Sequence, residues 1–338
     1  MKEYLFLKKL LLTTIIIGCI SFQIAAIPKK NILTIYTYNS FIAEWGPGPK
    51  IKSAFEKQCN CIVKFVGLNN GITLLNRLKI EKKNTKADII LGLDNNLIDI
   101  ARKSGLFTEH NIDTSKLHLP IKFNDSIFIP YDYGYFAFIY DNNKITKAPK
   151  NFYELINSKE PWKIIYQDPR TSTPGLGLLL WIQNIYKDKS IEIWKKIAKK
   201  TLTVTKNWST AYGLFLKGEC DFVLSYTSSP AYHLLNDKKN NYKAAIFDEG
   251  HYLQIEVAAQ LANTHNPKLA KKFLQFMISP TFQTILPTTN WLYPVIDITL
   301  PEVYKKIKIP KKTLQFNAEV IHQYRNQWIN LWQNAVSF

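Results

Sequence analysis

The feature that most constrains the fold is a regular alternation of strand and helix patterns in the first hundred residues. Residues 32–38 and 61–66 are rich in β-branched and aromatic residues, and residues 87–93 form a continuous apolar run. Such a run is typical of a strand buried on both faces of a parallel sheet. Apolar residues at helical spacing follow Pro49 and Asn70, and Asn70 is a suitable N-cap. The order predicts an α/β sheet with helices on both faces.

A second cycle of strands and helices begins after Pro130. Its predicted strands are residues 135–140, 162–166, 221–226 and 251–259, and its predicted helices begin at Pro174, near 191, at 209, at Pro267 and after Asn317. No internal repeat and no flexible linker separates the two cycles. Two α/β lobes that pass strands to each other, near residues 130–140 and 251–259, would explain the missing linker.

Residues 1–26 have the organisation of a secretory signal peptide. A lysine-containing start precedes an apolar run over residues 10–20, and residues 24–26 offer a processing site. The apolar run is too short for a membrane span. We therefore expect an exported chain. The alternative is a lipid anchor on Cys19, because residues 16–19 form a passable lipoprotein motif.

The charge balance raises the question of a nucleic-acid partner. Lysine and arginine outnumber aspartate and glutamate by 44 to 26, a formal charge of +18. The basic residues are spread along the chain, and their longest cluster lies at residues 305–312. No arginine-rich arm, zinc-finger spacing or aromatic RNA-binding signature accompanies them. The sequence therefore predicts no nucleic-acid partner.

Catalytic and metal-binding motifs are missing from the sequence. It has no G-x-S-x-G elbow, P-loop, G-x-G-x-x-G or H-E-x-x-H, and its six histidines are dispersed. Asp132 and Asp141 flank an aromatic strand, which favours turn residues over an acid/base pair. Cys59 and Cys61 could form a small disulfide in an oxidising compartment, and Cys220 is expected to be a buried small hydrophobe. These observations predict an exported binding module without enzymatic activity.

The candidate site lies in the loops after the strands, because ligands of open α/β sheets bind beyond the carboxyl ends of strands. Ser172 and Thr173 precede Pro174 at a helix start whose N–H groups would accept an anion, although capping alone would explain either residue. Large aromatic residues in loops can stack on a flat or cationic ligand, or they can simply cover the core. These are Tyr38, Trp208, Tyr226, Tyr232, Trp291 and Tyr293. Together the loops predict a cleft for a ring system and a phosphate.

Several stretches of the chain are similar to the periplasmic thiamine-binding proteins of bacterial ABC importers. They lie at residues 36–41, 45–49, 91–97, 132–138, 166–180, 211–219 and 225–227. The run YQDPRTSTPGLGLLL at 166–180 is long enough to be highly specific. The resemblance covers nearly all of the chain after residue 26.

The resemblance implies an α/β type II periplasmic-binding-protein fold, with ligand held between two lobes joined by crossing hinge strands. One lobe would comprise residues 27–130 plus 256–338 and the other residues 131–255, after the signal peptide at 1–26. The family's ligand contacts fall by position on Asn70, Gly71, Ser172, Thr173, Trp208, Tyr226, Thr227, Ser228 and Ser229, and further wall residues are Tyr38, Tyr232 and Trp291.

The function implied by the resemblance is solute capture in the periplasm. The ligand would be thiamine, thiamine monophosphate or thiamine diphosphate, with no cofactor and no metal. The protein would be a monomer that delivers its ligand to the membrane permease and ATPase of an ABC importer.

Asn70 departs from the family pattern, in which an acidic residue precedes the glycine. An amide there can accept a hydrogen bond from an aminopyrimidine but carries no charge. Two alternatives use the same fold: a thiaminase-like enzyme, which needs a nucleophilic cysteine in the cleft, and a ferric-ion binder, which Tyr226 and Tyr232 would suit. Cys220 precedes its strand, which is the wrong end for such a nucleophile.

Overall fold

A computed structural model describes residues 30–337, so the predicted signal peptide and Cys19 lie outside the described residues. The strands are β1 (Ile32–Tyr38), β2 (Ile62–Leu68), β3 (Ile89–Asp94), β4 (Ile129–Asp141), β5 (Ile164–Gln167), β6 (Thr201–Thr205), β7 (Phe222–Tyr226), β8 (Tyr242–Ala245), β9 (His251–Gln260), β10 (Tyr293–Pro294) and β11 (Thr313–Leu314).

The α-helices are α1 (Asn39–Ile42), α2 (Gly48–Cys59), α3 (Gly71–Glu81), α4 (Ile98–Arg102), α5 (Phe152–Asn157), α6 (Thr173–Tyr186), α7 (Ser190–Lys200), α8 (Trp208–Leu216), α9 (Pro230–Tyr232), α10 (Pro267–Met277), α11 (Pro280–Gln283) and α12 (Ala318–Val336). A π-helical turn, His233–Asp237, directly follows α9. The alternation of strands and helices confirms the α/β prediction.

The strands form one sheet in the order β2-β1-β3-β9-β4-β7-β5-β6, with β8 and β10 also paired to β4 and β11 to β9. The strands β2, β1 and β3 are mutually parallel and form the first triad. The strands β7, β5 and β6 are also parallel and form the second triad. Between the triads, β9 and β4 pair antiparallel with each other. These two strands connect the triads in the sheet.

Strand β4 reaches into both halves of the sheet because it is 13 residues long. Its first part pairs with β9, and Phe136–Ile139 pairs with β7. Residues 135–140, predicted as a strand, and the crossing strand expected near residues 130–140 both lie within β4. A proline usually ends a strand. Here Pro130 lies at a shift in the β4–β9 register, where a strand tolerates the missing N–H group.

Helices cover both faces of each triad with apolar side chains. Phe55 of α2 and Phe273 of α10 pack edge to face on one side of the first triad, and Leu78 of α3 is buried on the other side. Phe215 of α8 packs with Val223 on one face of the second triad, while α6 and α7 belong to the larger cluster. This packing holds the strands in place, so the loops that follow the strands also have defined positions.

The cysteines outside the predicted signal peptide are as the sequence suggested. Cys59 and Cys61 form a disulfide between the end of α2 and the start of β2. Cys220 is free and buried. Among residues 30–337, no helix combines the length and the apolar character that crossing a membrane requires.

Candidate functional site

A cavity of about 620 Å³ lies beyond the carboxyl ends of strands from both triads. Its lining comes from the segments after β1, β2, β5, β6 and β7, from the middle of β9, and from residues 290–292. This volume is typical of a site for a small molecule. Three groups of side chains give the cavity its chemistry: a carboxyl pair, a set of aromatic rings and the starts of three helices.

The carboxyl pair consists of Glu256 on β9, which lines the cavity, and Asp132, its partner in register on β4. The Tyr38 and Tyr131 hydroxyls donate to Glu256 Oε2 at 2.7 and 2.8 Å. Asn290 Nδ2 donates to Asp132 Oδ2 at 2.6 Å. Neutral donors thus surround the pair, and hydrogen bonds to ionised carboxylates are stronger than those between neutral groups. The arrangement favours one retained negative charge beside the cavity.

Burial raises the pKa of Asp132 well above its ordinary value, and the neighbouring charge of Glu256 raises it further. Burial also raises the pKa of Glu256, but hydrogen bonds from Tyr38 and Tyr131 oppose that rise. Two adjacent buried carboxyls cannot both ionise cheaply. The hydrogen bonds that Glu256 accepts from Tyr38 and Tyr131 favour its ionised form, so we expect a proton shared by the pair to reside on Asp132.

Tyr38 reaches Glu256 because the residue opposite its ring is a glycine. Gly92 has φ +101°, and a Cβ there would lie 2.4 Å from Tyr38 Cδ1. Gly92 also sits at a shift in the β3–β9 register, between Leu91 and Leu93. Any side chain at this position would displace the tyrosine ring.

Trp208, the first residue of α8, is held on its edge and on its face. Its Nε1 donates to Ser225 Oγ at 2.8 Å, and Ser225 in turn bonds Ser229 Oγ at 2.7 Å. Its ring stacks on Tyr212 with centroids 5.0 Å apart and planes at 24°. The indole therefore has a fixed orientation in the cavity lining.

Other aromatic residues complete this part of the lining. The Tyr226 hydroxyl donates to Gln254 Oε1 at 3.0 Å, and Gln254 Nε2 donates to Glu256 Oε1 at 3.2 Å. Tyr232 and Trp291 meet edge to face, with centroids 5.3 Å apart. Aromatic faces of this kind attract a cationic or flat ligand.

Three helices begin at the cavity, and their N-caps are Asn70, Ser172 and Asn207. Asn70 Oδ1 accepts from Thr73 N at 3.1 Å, which caps α3. Asn207 Oδ1 similarly caps α8, but the Ser172 side chain makes no capping bond to α6. Helix N-termini are electropositive, so an uncapped start suits an anionic group. Ser172 is therefore the candidate anion contact.

Asn70 offers a donor to a ligand, not the acceptor expected from the sequence. Its Oδ1 is already used by Thr73 N and Thr73 Oγ1. Its Nδ2 is buried and has no hydrogen-bond partner among the described residues. Since Asn70 lines the cavity, the group available there is an amide N–H.

The sequence profile of a family described as "Bacterial extracellular solute-binding protein" matches residues 37–284. The chain belongs to that family. It is similar to the "Thiamine-binding periplasmic protein" of Escherichia coli K12, at 56% identity over 93% of this chain and 96% of that protein. The Haemophilus influenzae protein of the same description is 42% identical over 97% of this chain and 99% of its own length.

Solved structures agree with the family assignment. One described as "Periplasmic thiamin binding protein" aligns with a TM-score of 0.90 and 57% identity, covering 91% of this chain and 97% of that one. A "Ferric binding protein from Campylobacter jejuni" aligns with a TM-score of 0.74 over 90% of this chain and 99% of its own, but at 20% identity it shares the fold alone. The resemblance and the type II fold predicted from the sequence are confirmed.

The cavity of this solute-binding protein collects most of the residues predicted as contacts. Its lining includes Asn70, Gly71, Ser172, Thr173, Trp208, Tyr226 and Ser229, together with Tyr38, Tyr232 and Trp291. Thr227 and Ser228 do not line it, because both are buried in the turn after β7. Tyr293 does not line it either and packs against Tyr133.

Several cavity residues of this solute-binding protein were not identified from the sequence: Glu256, Gln254, Asn290 and Tyr212. The interpretation of Asp132 as a turn residue is wrong, since it is fully buried within β4. One signal was present in the sequence. Gln254 and Glu256 are two polar residues at strand spacing inside an otherwise apolar segment, and a buried glutamate normally requires partners.

Three observations bear on the two alternatives on this fold. Cys220 lies before β7 and not at its cavity end, and burial raises the pKa of its thiol to about 12, so a reactive thiolate is disfavoured. Within residues 30–337 no three His, Cys, Asp or Glu side chains are grouped to hold a metal ion. Burial raises the pKa of the Tyr226 hydroxyl well above its ordinary value, which does not suit a tyrosinate ligand.

Proposed function

We propose that this solute-binding protein captures thiamine or a thiamine phosphate in the periplasm and delivers it to an ABC importer. The observation that carries the proposal is the juxtaposition, in one cavity, of the Glu256 charge and the fixed face of Trp208. Thiamine has a cationic thiazolium ring, which both groups attract. The relatives named above are described as binding the same ligand.

The net charge of +18 does not oppose this ligand at the site. Charges separated by more than the Debye length, about 8 Å at physiological ionic strength, are largely screened. The buried carboxylate of Glu256 adjoins the cavity and is screened far less. We therefore expect the local negative charge, not the overall balance, to determine which ligands enter.

The topology supports capture by two lobes. We propose that residues 27–130 plus 256–338 and residues 131–255 move as lobes about β4 and β9, after removal of residues 1–26. The cavity lining is drawn from the loops of both triads, so closure would enclose a ligand on most sides. Members of this family work with a permease and an ATPase, and we propose that this protein does so as a monomer.

The direct test is a tryptophan-fluorescence titration of the ligand-stripped protein, residues 27–338, with thiamine, its monophosphate and its diphosphate. We expect saturable quenching with a Kd below about 1 μM for at least one of them, equivalent to about −8 kcal/mol. Calorimetry provides the second readout. No heat and no quenching with all three ligands would reject the proposed function.

The affinity for thiamine is expected to fall as the pH is lowered, because a proton on Glu256 removes the charge that attracts the cation. Burial raises the pKa of Glu256, so the loss should begin above the range of an ordinary glutamate, which is about 4.3. Calorimetric Kd values from about pH 8 downwards test this while the fold is monitored by circular dichroism. The Glu256→Gln variant corrects for protonation of the ligand's own aminopyrimidine. Equal slopes in both proteins would contradict the assignment.

Replacing Ser172 by alanine is expected to weaken the binding of thiamine monophosphate by about tenfold, since hydrogen bonds to charged groups contribute about 1.5–3 kcal/mol. The binding of thiamine should weaken by less than about twofold. The Ser172 side chain makes no capping hydrogen bond to α6, so its hydroxyl is available to a phosphate group, which thiamine itself lacks. Ser190→Ala, at the buried start of α7, is the matched control outside the cavity. Equal losses for both ligands would exclude Ser172 as a phosphate contact.

A further inference from the structure

An unbroken row of aromatic rings lies behind and along the cavity wall, in the order Trp208, Tyr212, His233, Tyr232, Trp291. Tyr212 and His233 are nearly parallel, at 14°, with centroids 5.9 Å apart. His233 meets Tyr232 edge to face at 5.0 Å. The other four rings line the cavity, whereas His233 is only 1% exposed and does not. His233 is therefore the interior member on which two wall residues rest.

Both nitrogens of the His233 ring form hydrogen bonds. Nδ1 lies 2.7 Å from Asp237 Oδ2, and Nε2 lies 2.9 Å from the Tyr212 hydroxyl. Burial lowers the pKa of His233, which favours the neutral ring, although Asp237 opposes this shift. With Nδ1–H donating to Asp237, Nε2 is left as the acceptor for the Tyr212 hydroxyl. The π-helical turn after α9 carries both His233 and Asp237. The hydroxyl of Tyr212 is thus anchored through a histidine whose tautomer is set by a carboxylate.

We propose that His233 and Asp237 are positioning residues for the ligand, which act by holding the Tyr212 ring parallel to Trp208. The edge of Trp208 is already fixed by Ser225 Oγ, so the face of Tyr212 supplies the second restraint. A ring held in its binding orientation loses less conformational entropy when a ligand stacks on it. The identity of the ligand rests on the proposed function, but the restraint on Trp208 does not.

The test is a double-mutant cycle on thiamine affinity with Tyr212→Phe, His233→Phe and the combined variant. Phenylalanine at 233 keeps a ring against Tyr212 and removes the hydrogen bond. We expect each single change to weaken binding by about fivefold and the combination by no more than either one, because both remove the same bond. If the loss of affinity in the combined variant were the product of the two single losses, the proposal would be overturned. Unchanged affinity in Tyr212→Phe would also overturn it. That single variant is sufficient as a test if His233→Phe does not fold.

Tyr166→Phe is the matched control. Tyr166 is a fully buried tyrosine outside the cavity whose hydroxyl accepts from Trp332 Nε1 at 3.1 Å. Its loss should lower stability and leave the affinity unchanged, since a buried hydrogen bond contributes about 1 kcal/mol to stability wherever it lies. An equal loss of affinity in this control would mean that the Tyr212 effect is merely structural and would overturn the proposal.

A second readout needs no ligand. The near-ultraviolet circular dichroism of Trp208 is obtained as the difference between each protein and its Trp208→Phe derivative. We expect this signal to fall in Tyr212→Phe and to persist in Tyr166→Phe. An unaltered signal in Tyr212→Phe would overturn the restraint. If the signal falls but the unmutated protein binds no thiamine, the proposed function fails and the restraint on Trp208 stands.

Discussion

Replacing Trp208 by alanine is expected to weaken thiamine binding by about tenfold or more, equivalent to about 1.4 kcal/mol. A cation over an indole face contributes about 0.5–2 kcal/mol to binding. The orientation of the Trp208 ring is fixed by the hydrogen bond to Ser225 and by stacking on Tyr212. The measurement should be calorimetric, because the substitution removes one of the fluorescent reporters.

Trp162→Ala is the control for that experiment. Trp162 packs on Phe222 and does not line the cavity, so its loss should leave the affinity unchanged. Both variants should keep the far-ultraviolet circular dichroism of the parent. Unchanged affinity in Trp208→Ala would remove this residue from the site, and equal losses in both variants would point to a general loosening of the fold.

Replacing Glu256 by glutamine is expected to weaken thiamine binding by about thirtyfold or more, or about 2 kcal/mol, because it removes the charge beside the cavity. The glutamine carbonyl can still accept from Tyr38 and Tyr131, so the local packing should survive. Asp132→Asn should change the affinity by less than about threefold. The asparagine amide takes the place of a carboxyl whose pKa burial raises and on which we expect the shared proton to reside.

The comparison of these two variants tests where the charge resides. They are isosteric substitutions in adjacent, in-register residues on β9 and β4. If Asp132→Asn were the more damaging, the charge would lie on Asp132, contrary to our assignment. If neither changed the affinity, the carboxyl pair would have no role in binding.

The strands were largely predictable because burial on both faces gives them continuous apolar sequences. The six residues of β3 are all buried, and five of them, residues 89–93, lie in the apolar run predicted as a strand. Pro130, a residue that normally interrupts a strand, lies near the start of β4. Only the pairing with β9 shows that the register shifts at that proline.

The loops of the site were predictable, but the carboxyl pair was not. Carboxyl ends of parallel strands meet at one edge, so Trp208 and Ser172 could be assigned to one cleft from the order of elements. Asp132 and Glu256 meet only through the β4–β9 pairing, and the Tyr131–Glu256 hydrogen bond spans 125 positions in the chain. No local pattern specifies such a register.

Side-chain direction within a turn was also beyond the sequence. Tyr226 and Ser229 line the cavity, while the intervening Thr227 and Ser228 do not. The turn is shaped by local bonds, among them Tyr226 N to Ser229 Oγ at 3.1 Å. Of the four consecutive residues 226–229 predicted as ligand contacts, two therefore line the cavity and two belong to the interior of the turn.

The insertion of β9 between β3 and β4 governs how the chain can fold. Asn95 Oδ1, at the end of β3, accepts from Ile255 N across 160 positions, so the inner edge of the first triad stays unpaired until β9 is available. Sheets built on such distant pairings fold slowly, and an unpaired apolar edge strand is prone to aggregate. A nascent chain ending before His251 lacks the strand that joins β3 to β4 and so connects the two triads. The complete sheet can therefore form only late in synthesis, and a chain without its complete sheet can still be threaded through a translocation pore.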